Sequence, residues 1–368
     1  MHAMTFTAPG PSIDNPKHAC EDWLIHACER GWVPDRLIRA GMRRLMRQRL
    51  IEEGAFDCAL RSQRFSAFID ELRASPVAIE TDAANTQHYE LPPSFFEAHL
   101  GPHLKYSCCL YPDGDETLEQ AEQAMLALYA ERAQIEDGQT ILDLGCGWGA
   151  LALWLAMRYP RAQIVALSNS RGQREFIEAR AASAGIANLR VVAGNVAQFE
   201  FEPALRNGYF DRVLSVEMFE HMKNYGLLLE RIARWMRPDG KLFVHIFAHR
   251  TMAWHFQTRD VTDWMSTYFF TGGTMPSQAL LRHFQNDLRI DRQWWIGGAH
   301  YARTAEHWLA NLDAARAQVM PELALAYGVD TAALWFQRWR MFYMSVSELF
   351  GYEKGSEWGV AHYLFEKR

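Results

Sequence analysis

Residues 142–151 read LDLGCGWGAL: an apolar run, three glycines spaced two apart, then a return to apolar residues. Gly145 and Gly147 open backbone angles closed to other residues and let a ligand approach the main chain. The stretch lies between an expected strand at 140–144 (TILDL) and an expected helix at 149–159. Strand, glycine turn and helix in that order indicate a ligand-binding turn at the carboxyl end of a sheet strand. The spacing is GxGxG, not the GxGxxG of dinucleotide-binding turns. No Lys-Ser/Thr follows, as a phosphate-binding loop requires.

Working outward, apolar strands are expected at 163–168 (QIVALS), 189–194 (LRVVAG), 210–216 (FDRVLSV) and 241–247 (KLFVHIF). Helical patterns at 171–185 and 224–236 separate them. This alternation predicts an α/β fold with a mainly parallel sheet covered on both faces. Thr117 and Gln120 have the spacing of a capping box opening a helix at 118–133. After 250 the regularity breaks into an insertion at 250–300 rich in Trp, His and Phe. Two long helices follow, at 303–319 and 330–351, and a final strand, VAHYLFEK, at 360–367. Residues 18–75 read as helices, most clearly PDRLIRAGMRRLMRQRLIEEG at 34–54. There Ile38, Met42, Leu45 and Leu50 share a face, and Arg36, Arg39, Arg43, Arg44, Arg47 and Arg49 crowd the others. Residues 1–16, with Pro9, Gly10, Pro11, Ser12 and Pro16, show no periodicity and are expected to be disordered. The resulting division is a helical cap at 17–100, a ligand-binding core at 101–249, and at 250–368 a substrate-binding insertion, helices and the core's last strand.

The 368 residues carry a formal charge of -6 and are 49% apolar, enough for one large or two small domains. The acidic balance argues against gripping nucleic acid through its phosphates. Thirteen Trp, 21 Phe and 13 Tyr suit a pocket for a flat or greasy ligand. No apolar run approaches the ~18 residues of a membrane span, and the first residues, without an apolar run, are not expected to act as a signal peptide. The six cysteines make neither a CxxC pair nor a zinc spacing, which suits a reducing cytoplasm.

A second stretch, VEMFEHMKNY at 216–225, places Glu217, Glu220 and His221 within five positions after the fourth strand. Ligands of parallel sheets lie beyond the strands' carboxyl ends, so these groups are expected at the mouth of the same pocket. A metal is set aside, because no second His or Cys stands at a ligand spacing. An ordinary polar helix start, with carboxylates favoured by the helix dipole, is the competing reading.

The GxGxG spacing with Asp143 inside the strand end resembles motif I of class I S-adenosylmethionine (SAM) methyltransferases. In that class the second strand usually ends in an acid that holds ribose; here it ends in Ser168, Asn169 and Ser170. Asn195 stands where many relatives have Asp beside the adenine. Amides both donate and accept, so these residues suit a neutral nucleoside. With Tyr106, Ser107, Trp148, Gly149, Gln173 and Val196 they complete the expected cofactor-binding set. Tyr106 and Trp148 offer aromatic faces to the sulfonium.

The resemblance narrows further. HYELPPSFF (88–96), KYSCCLY (105–111), TLEQAEQAML (117–126), LSNSRGQREFIE, VEMFEHMKNY, YFFTGGTMPS (268–277) and HYARTAEHWL (300–309) are similar to the cyclopropane-fatty-acyl-phospholipid synthase superfamily. Within it, ERAQIEDGQTILDLGCG, EMFEHMKNY and FTGGTMPS resemble the coclaurine N-methyltransferase branch. The likeness implies a Rossmann-like class I SAM methyltransferase fold: a mainly parallel seven-stranded sheet with a helical N-terminal cap and a helical insertion. It implies SAM as donor, S-adenosylhomocysteine (SAH) as product and a small amine as acceptor. In that branch the groups matching Glu217, Glu220 and His221 orient and deprotonate the amine. Trp254, His255, Trp264 and Phe269, from the aromatic-rich 253–270, are expected in one pocket wall.

In the lipid-modifying branch, methyl transfer to an alkene leaves a cation that loses a proton to bound bicarbonate. The residues holding it correspond to Cys108, Glu220, His245 and Tyr301. Cyclopropanation or methylation of an unsaturated acyl chain is therefore the alternative function, with bicarbonate as an added ligand and peripheral membrane contact. The Arg-rich helix fits either a lid over the pocket or an anionic membrane surface. A non-catalytic SAM-binding protein is a third reading, and a homodimer is compatible with all of them.

Overall fold

The protein is described here from a computed structural model, which defines residues 16–79, 91–201, 208–260 and 262–368. Residues 1–15, most of the stretch expected to be disordered, lie outside the described residues; Pro16 opens the first helix. Three helices lead the chain: α1 (Pro16–Glu29), α2 (Asp35–Glu52) and α3 (Cys58–Ala74). The short α4 (Pro93–Glu97) precedes α5 (Leu118–Arg132). Helix α5 opens on the expected capping box: the Gln120 N–H donates to Thr117 Oγ1 at 3.3 Å and the Thr117 N–H to Gln120 Oε1 at 2.9 Å.

Strand and helix then alternate as β1 (Thr140–Leu144), α6 (Ala150–Arg158), β2 (Gln163–Ser168), α7 (Arg171–Ser183), β3 (Leu189–Ala193) and β4 (Phe210–Val216). There follow α8 (Tyr225–Trp235), β5 (Met236–His249), β6 (Trp254–His255), α9 (Trp264–Tyr268), β7 (Thr274–Met275) and β8 (Leu288–Gly297). The chain ends with α10 (Ala299–Ala314), α11 (Arg316–Tyr327), α12 (Ala332–Gly351) and β9 (Trp358–Lys367). Seven strands form one sheet in the order β3-β2-β1-β4-β5-β9-β8. Its first five strands are parallel, and β9 runs antiparallel to both neighbours. One apolar core, with α4 to α6 and α10 to α12, lies on one face, and a second, with α3 and α8, lies on the other.

Two elements depart from the sequence reading. The insertion at 250–300 contains the seventh strand, β8, at the sheet edge, where Arg289, Asp291 and Arg292 keep their side chains at least partly in water and blur the apolar signal. The single helix expected at 303–319 is instead two, α10 and α11, divided at Ala315. Neither Gly nor Pro marks that break; tertiary packing of α11 on α12 and α4 sets it.

The Arg-rich helix α2 is fastened to the body of the protein. Arg39 Nη1 donates to Glu306 at 2.6 Å, Arg43 Nη1 to Glu348 at 2.6 Å and Arg49 Nη2 to Asp263 at 2.6 Å. Much of its positive charge is thus turned inward. Helix α1 is tied through Glu29, whose carboxylate is buried. Arg338 Nε donates to it at 2.9 Å and Trp264 Nε1 at 2.8 Å. Removing one partner of such a pair leaves a buried charge uncompensated. Arg338→Met is therefore expected to destabilise the protein by about 3–5 kcal/mol, read as a lower urea midpoint with an unchanged slope.

Candidate active site

The sheet reverses its strand order at β1, which lies between β2 and β4, and both expected site motifs leave strands at this point. The turns after β1 and β4 press together. Gly145 has φ +84°, and a Cβ there would stand 2.7 Å from Met218 Cγ. Gly147 has φ +50° and open space where its Cβ would be, above a small cavity lined by Tyr106, Ser107, Asp143, Gly145, Trp148 and Glu217 among others. Asp143 is buried in that floor and its Oδ2 has no hydrogen-bond partner among the described residues; burial pushes its carboxyl up to about 7. Trp148 Nε1 and Gln173 Nε2 are likewise buried without partners among the described residues. Buried polar atoms left unpaired beside a cavity are groups a polar ligand can satisfy.

The remaining expected cofactor residues lie along the tips of β2 and β3. Ser168 Oγ donates to Gln173 Oε1 at 2.7 Å and accepts from the Ser170 N–H at 3.0 Å. Ser170 caps α7, and Asn169 beside it is exposed. Asn195 Oδ1 accepts from the Ala197 N–H at 2.9 Å, and Val196 is buried in the second core. Gly149 precedes the first turn of α6.

At the tip of β4, Glu217 is a non-glycine residue with φ +47°. Such strain clusters at functional sites because the surroundings must enforce it. Here they do so through the side chain. Glu217 Oε1 accepts from the Cys108 N–H at 3.1 Å and from His245 Nε2 at 3.0 Å; Oε2 accepts from Tyr301 Oη at 2.6 Å. Three of the four residues expected around bicarbonate thus close on a carboxylate of the protein itself. The Cys108 thiol, pushed well up by burial, donates to Cys109 O instead.

Residues 219–221 form a single 3-10 turn, and α8 begins only at Tyr225 with Asn224 as its cap. The polar helix start therefore does not describe Glu217, Glu220 and His221. Glu220 is buried and its Oε2 has no partner among the described residues. Burial, with the Glu217 charge adding, drives its carboxyl well above the usual range. Burial also raises Glu217, but Tyr301, Lys105 and the Cys108 amide oppose it. Two neighbouring carboxyls in environments this different titrate in order, Glu217 ionising before Glu220. Burial lowers His221 to about 4, so its imidazole is neutral at pH 7. Its ring stacks on Phe270 with centroids 5.1 Å apart.

A larger, mostly apolar cavity of about 570 Å³ lies between α1, α2 and residues 254–266. Trp254, His255 and Trp264 line it, together with Ile38, Met42 and Leu45 from the apolar face of α2. Phe269 does not line it; fully buried, it stacks on Phe342 at 4.4 Å. The neighbouring Phe270 is the ring that matters, since it bridges His221 and the cavity-lining Phe256, 4.8 Å away. Sequence reasoning also passed over Lys105, which donates to Ser107 Oγ at 2.7 Å, and Lys223, whose Nζ lies 2.7 Å from His255 Nδ1. Both stand inside quoted motifs, KYSCCLY and VEMFEHMKNY, but a lysine there looks like surface until its burial is known.

A glycine turn at the strand-order reversal of a sheet closed by one antiparallel strand defines a class I SAM-dependent methyltransferase, and this chain is an enzyme of that class. Residues 78–348 match the family model described as mycolic acid cyclopropane synthetase, and the chain belongs to that family. The (S)-coclaurine N-methyltransferase of Thalictrum flavum subsp. glaucum is 38% identical over 361 residues, covering 96% of this chain and 98% of that one. A crystal structure of coclaurine N-methyltransferase bound to N-methylheliamine and SAH superposes with a TM-score of 0.90 at 36% identity, covering 95% of this chain and 100% of the other. The cyclopropane-fatty-acyl-phospholipid synthase of Escherichia coli (strain K12) is 30% identical over 243 residues, 66% of this chain and 58% of that one.

Two measurements check the site. Gly147→Val places a branched side chain in the open space over the cavity, at a backbone angle β-branched residues avoid. It should abolish SAM binding in calorimetry while circular dichroism stays native. An NMR titration of His221 in the free protein should show protonation only as the pH falls toward about 4. A midpoint near the unperturbed value of roughly 6.5 would contradict the burial argument.

Proposed function

We propose that this enzyme transfers the methyl group of SAM to the nitrogen of a small, partly aromatic amine of the coclaurine or tetrahydroisoquinoline type. The observation that carries the proposal is the Glu217 carboxylate, held by Cys108, His245 and Tyr301 where the lipid-modifying branch would hold bicarbonate. With that slot filled by a fixed side chain, the site has an anion suited to draw in a cationic amine, not a diffusible base for an alkene-derived cation. The curated coclaurine N-methyltransferases, alike over nearly the whole chain, support the same reading.

Bound SAM supplies an electrophilic methyl group on a sulfonium, with Asp143, Trp148 and the turn 145–149 as the residues that would hold it. An alkyl amine at neutral pH is mostly protonated and has no lone pair to attack with. Glu217 attracts the ammonium by charge. Glu220, neutral in the free site, keeps its proton and orients the amine by hydrogen bonding. His221, neutral and stacked on Phe270, accepts the ammonium proton as general base, the Glu217 charge opposing the burial that lowers its proton affinity. The apolar cavity beyond Phe256 and Phe270 takes the acceptor's hydrocarbon part. Five cysteines free of disulfides among the described residues fit a cytoplasmic setting.

The competing reading, methylation or cyclopropanation of an acyl chain, is favoured by that cavity's reach to α2. Labelled SAM incubated with a panel of amines and phospholipids separates the two. Label is expected in the amine fraction, and label confined to lipid would overturn the assignment. Glu220→Ala and His221→Ala should each keep SAM affinity yet lower amine turnover by on the order of 100-fold or more. Wild-type rates in both would remove these residues from the mechanism.

A further inference from the structure

The Glu217 carboxylate is the inner end of a longer chain of hydrogen bonds. His245 Nε2 contacts Glu217 Oε1 at 3.0 Å, His245 Nδ1 contacts His362 Nε2 at 2.8 Å, and His362 Nδ1 contacts Arg132 Nη1 at 2.7 Å. The sheet register builds it: residues 245, 362 and 294 are direct cross-strand neighbours on β5, β9 and β8. Arg132, in the last turn of α5, lays its guanidinium 4.8 Å over the Trp294 ring and reaches His362 from there. Both histidines are fully buried, while Arg132 is only half-buried. The chain therefore links the protein's periphery to the acidic centre of the site in three hydrogen bonds.

Its direction follows from donor and acceptor rules alone. A guanidinium has five donors and no acceptor. Arg132 therefore donates, and His362 Nδ1 must be a bare lone pair. The neutral His362 ring then carries its proton on Nε2 and donates to His245 Nδ1. His245 in turn carries its proton on Nε2 and donates to Glu217. Burial beside Arg132 and Lys105 lowers both histidines well below their ordinary value, which keeps each ring to one proton.

We infer that Arg132 and His362 are positioning residues: they fix the tautomer of His245 so that it always presents a donor to Glu217. Three donors then aim at one carboxylate, holding it ionised and oriented for a cation. The same polarity closes the chain to proton release. A proton moving from Glu217 toward Arg132 would need every bond reversed and an acceptor where the guanidinium has none. The acceptor amine's proton thus leaves by the His221 side.

The inference rests on the amine reading for its kinetic arm only. Nitrogen-15 NMR of histidine-labelled full-length protein at pH 7.5 should show His245 and His362 each neutral and protonated on Nε2. A proton on Nδ1 of either ring would overturn the inference, whether or not any amine is a substrate. Arg132→Met should give mixed tautomers and lower kcat on the order of tenfold, with the KM values for SAM and amine little changed. Arg132→Lys, which restores a donor, should recover most of kcat and the single tautomer. A folded Arg132→Met protein with wild-type kcat, or a lysine variant no better than methionine, would overturn it. Should Arg132→Met fail to fold, the wild-type tautomers decide alone.

Discussion

One buried carboxylate, that of Glu217, organises this protein's site. A carboxylate removed from water costs several kcal/mol unless charge-assisted hydrogen bonds replace its hydration. The replacements come from three distant parts of the chain: the amide of Cys108, the imidazole of His245 on β5 and the phenol of Tyr301 on α10. Each is held by its own element, so the carboxylate reports whether the segment after α4, the sheet and the C-terminal helices are all in register. The left-handed backbone of residue 217 is tolerable because these contacts enforce it.

Around this fixed charge the other titratable groups divide by how many donors reach them. Glu217 has three. Glu220, three residues on and more deeply buried, has an oxygen with none among the described residues, and so retains a proton. His221 is kept neutral by the same dry surroundings. Two acids and a neutral base thus stand within five residues, and hydrogen-bond supply separates the two acids. The arrangement has the two features N-methylation needs: attraction for an ammonium and a lone pair to receive its proton.

Much of this architecture was legible before any coordinates. The period-two and period-3.6 patterns located β1, β2, β4, α5 and α8 to within a few residues, and Thr117 with Gln120 announced the start of α5. What local pattern could not carry was phase and partnership. In the irregular stretch 253–270 nothing distinguishes Phe269 from Phe270, yet one is buried in the core and the other stacks on His221. Edge strand β8 is concealed by its half-solvated charges. The family resemblance grouped Cys108, His245 and Tyr301 around an anion, but only tertiary structure shows that Glu217 is that anion. Arg132 and His362, 230 positions apart, become neighbours only through the β5–β9 register and the end of α5.

The contact between Gly145 and Met218 carries a consequence of its own. The turn after β1 and the turn after β4 share a seam with no room for one carbon atom. Drift in either must be matched at once in the other, so the two turns hold one relative position. The distal apolar cavity, walled largely by α1, α2 and the α9 region, has no such coupling. Its methionines and aromatic rings lie away from that seam, so a substitution among them leaves the packing of the two turns untouched.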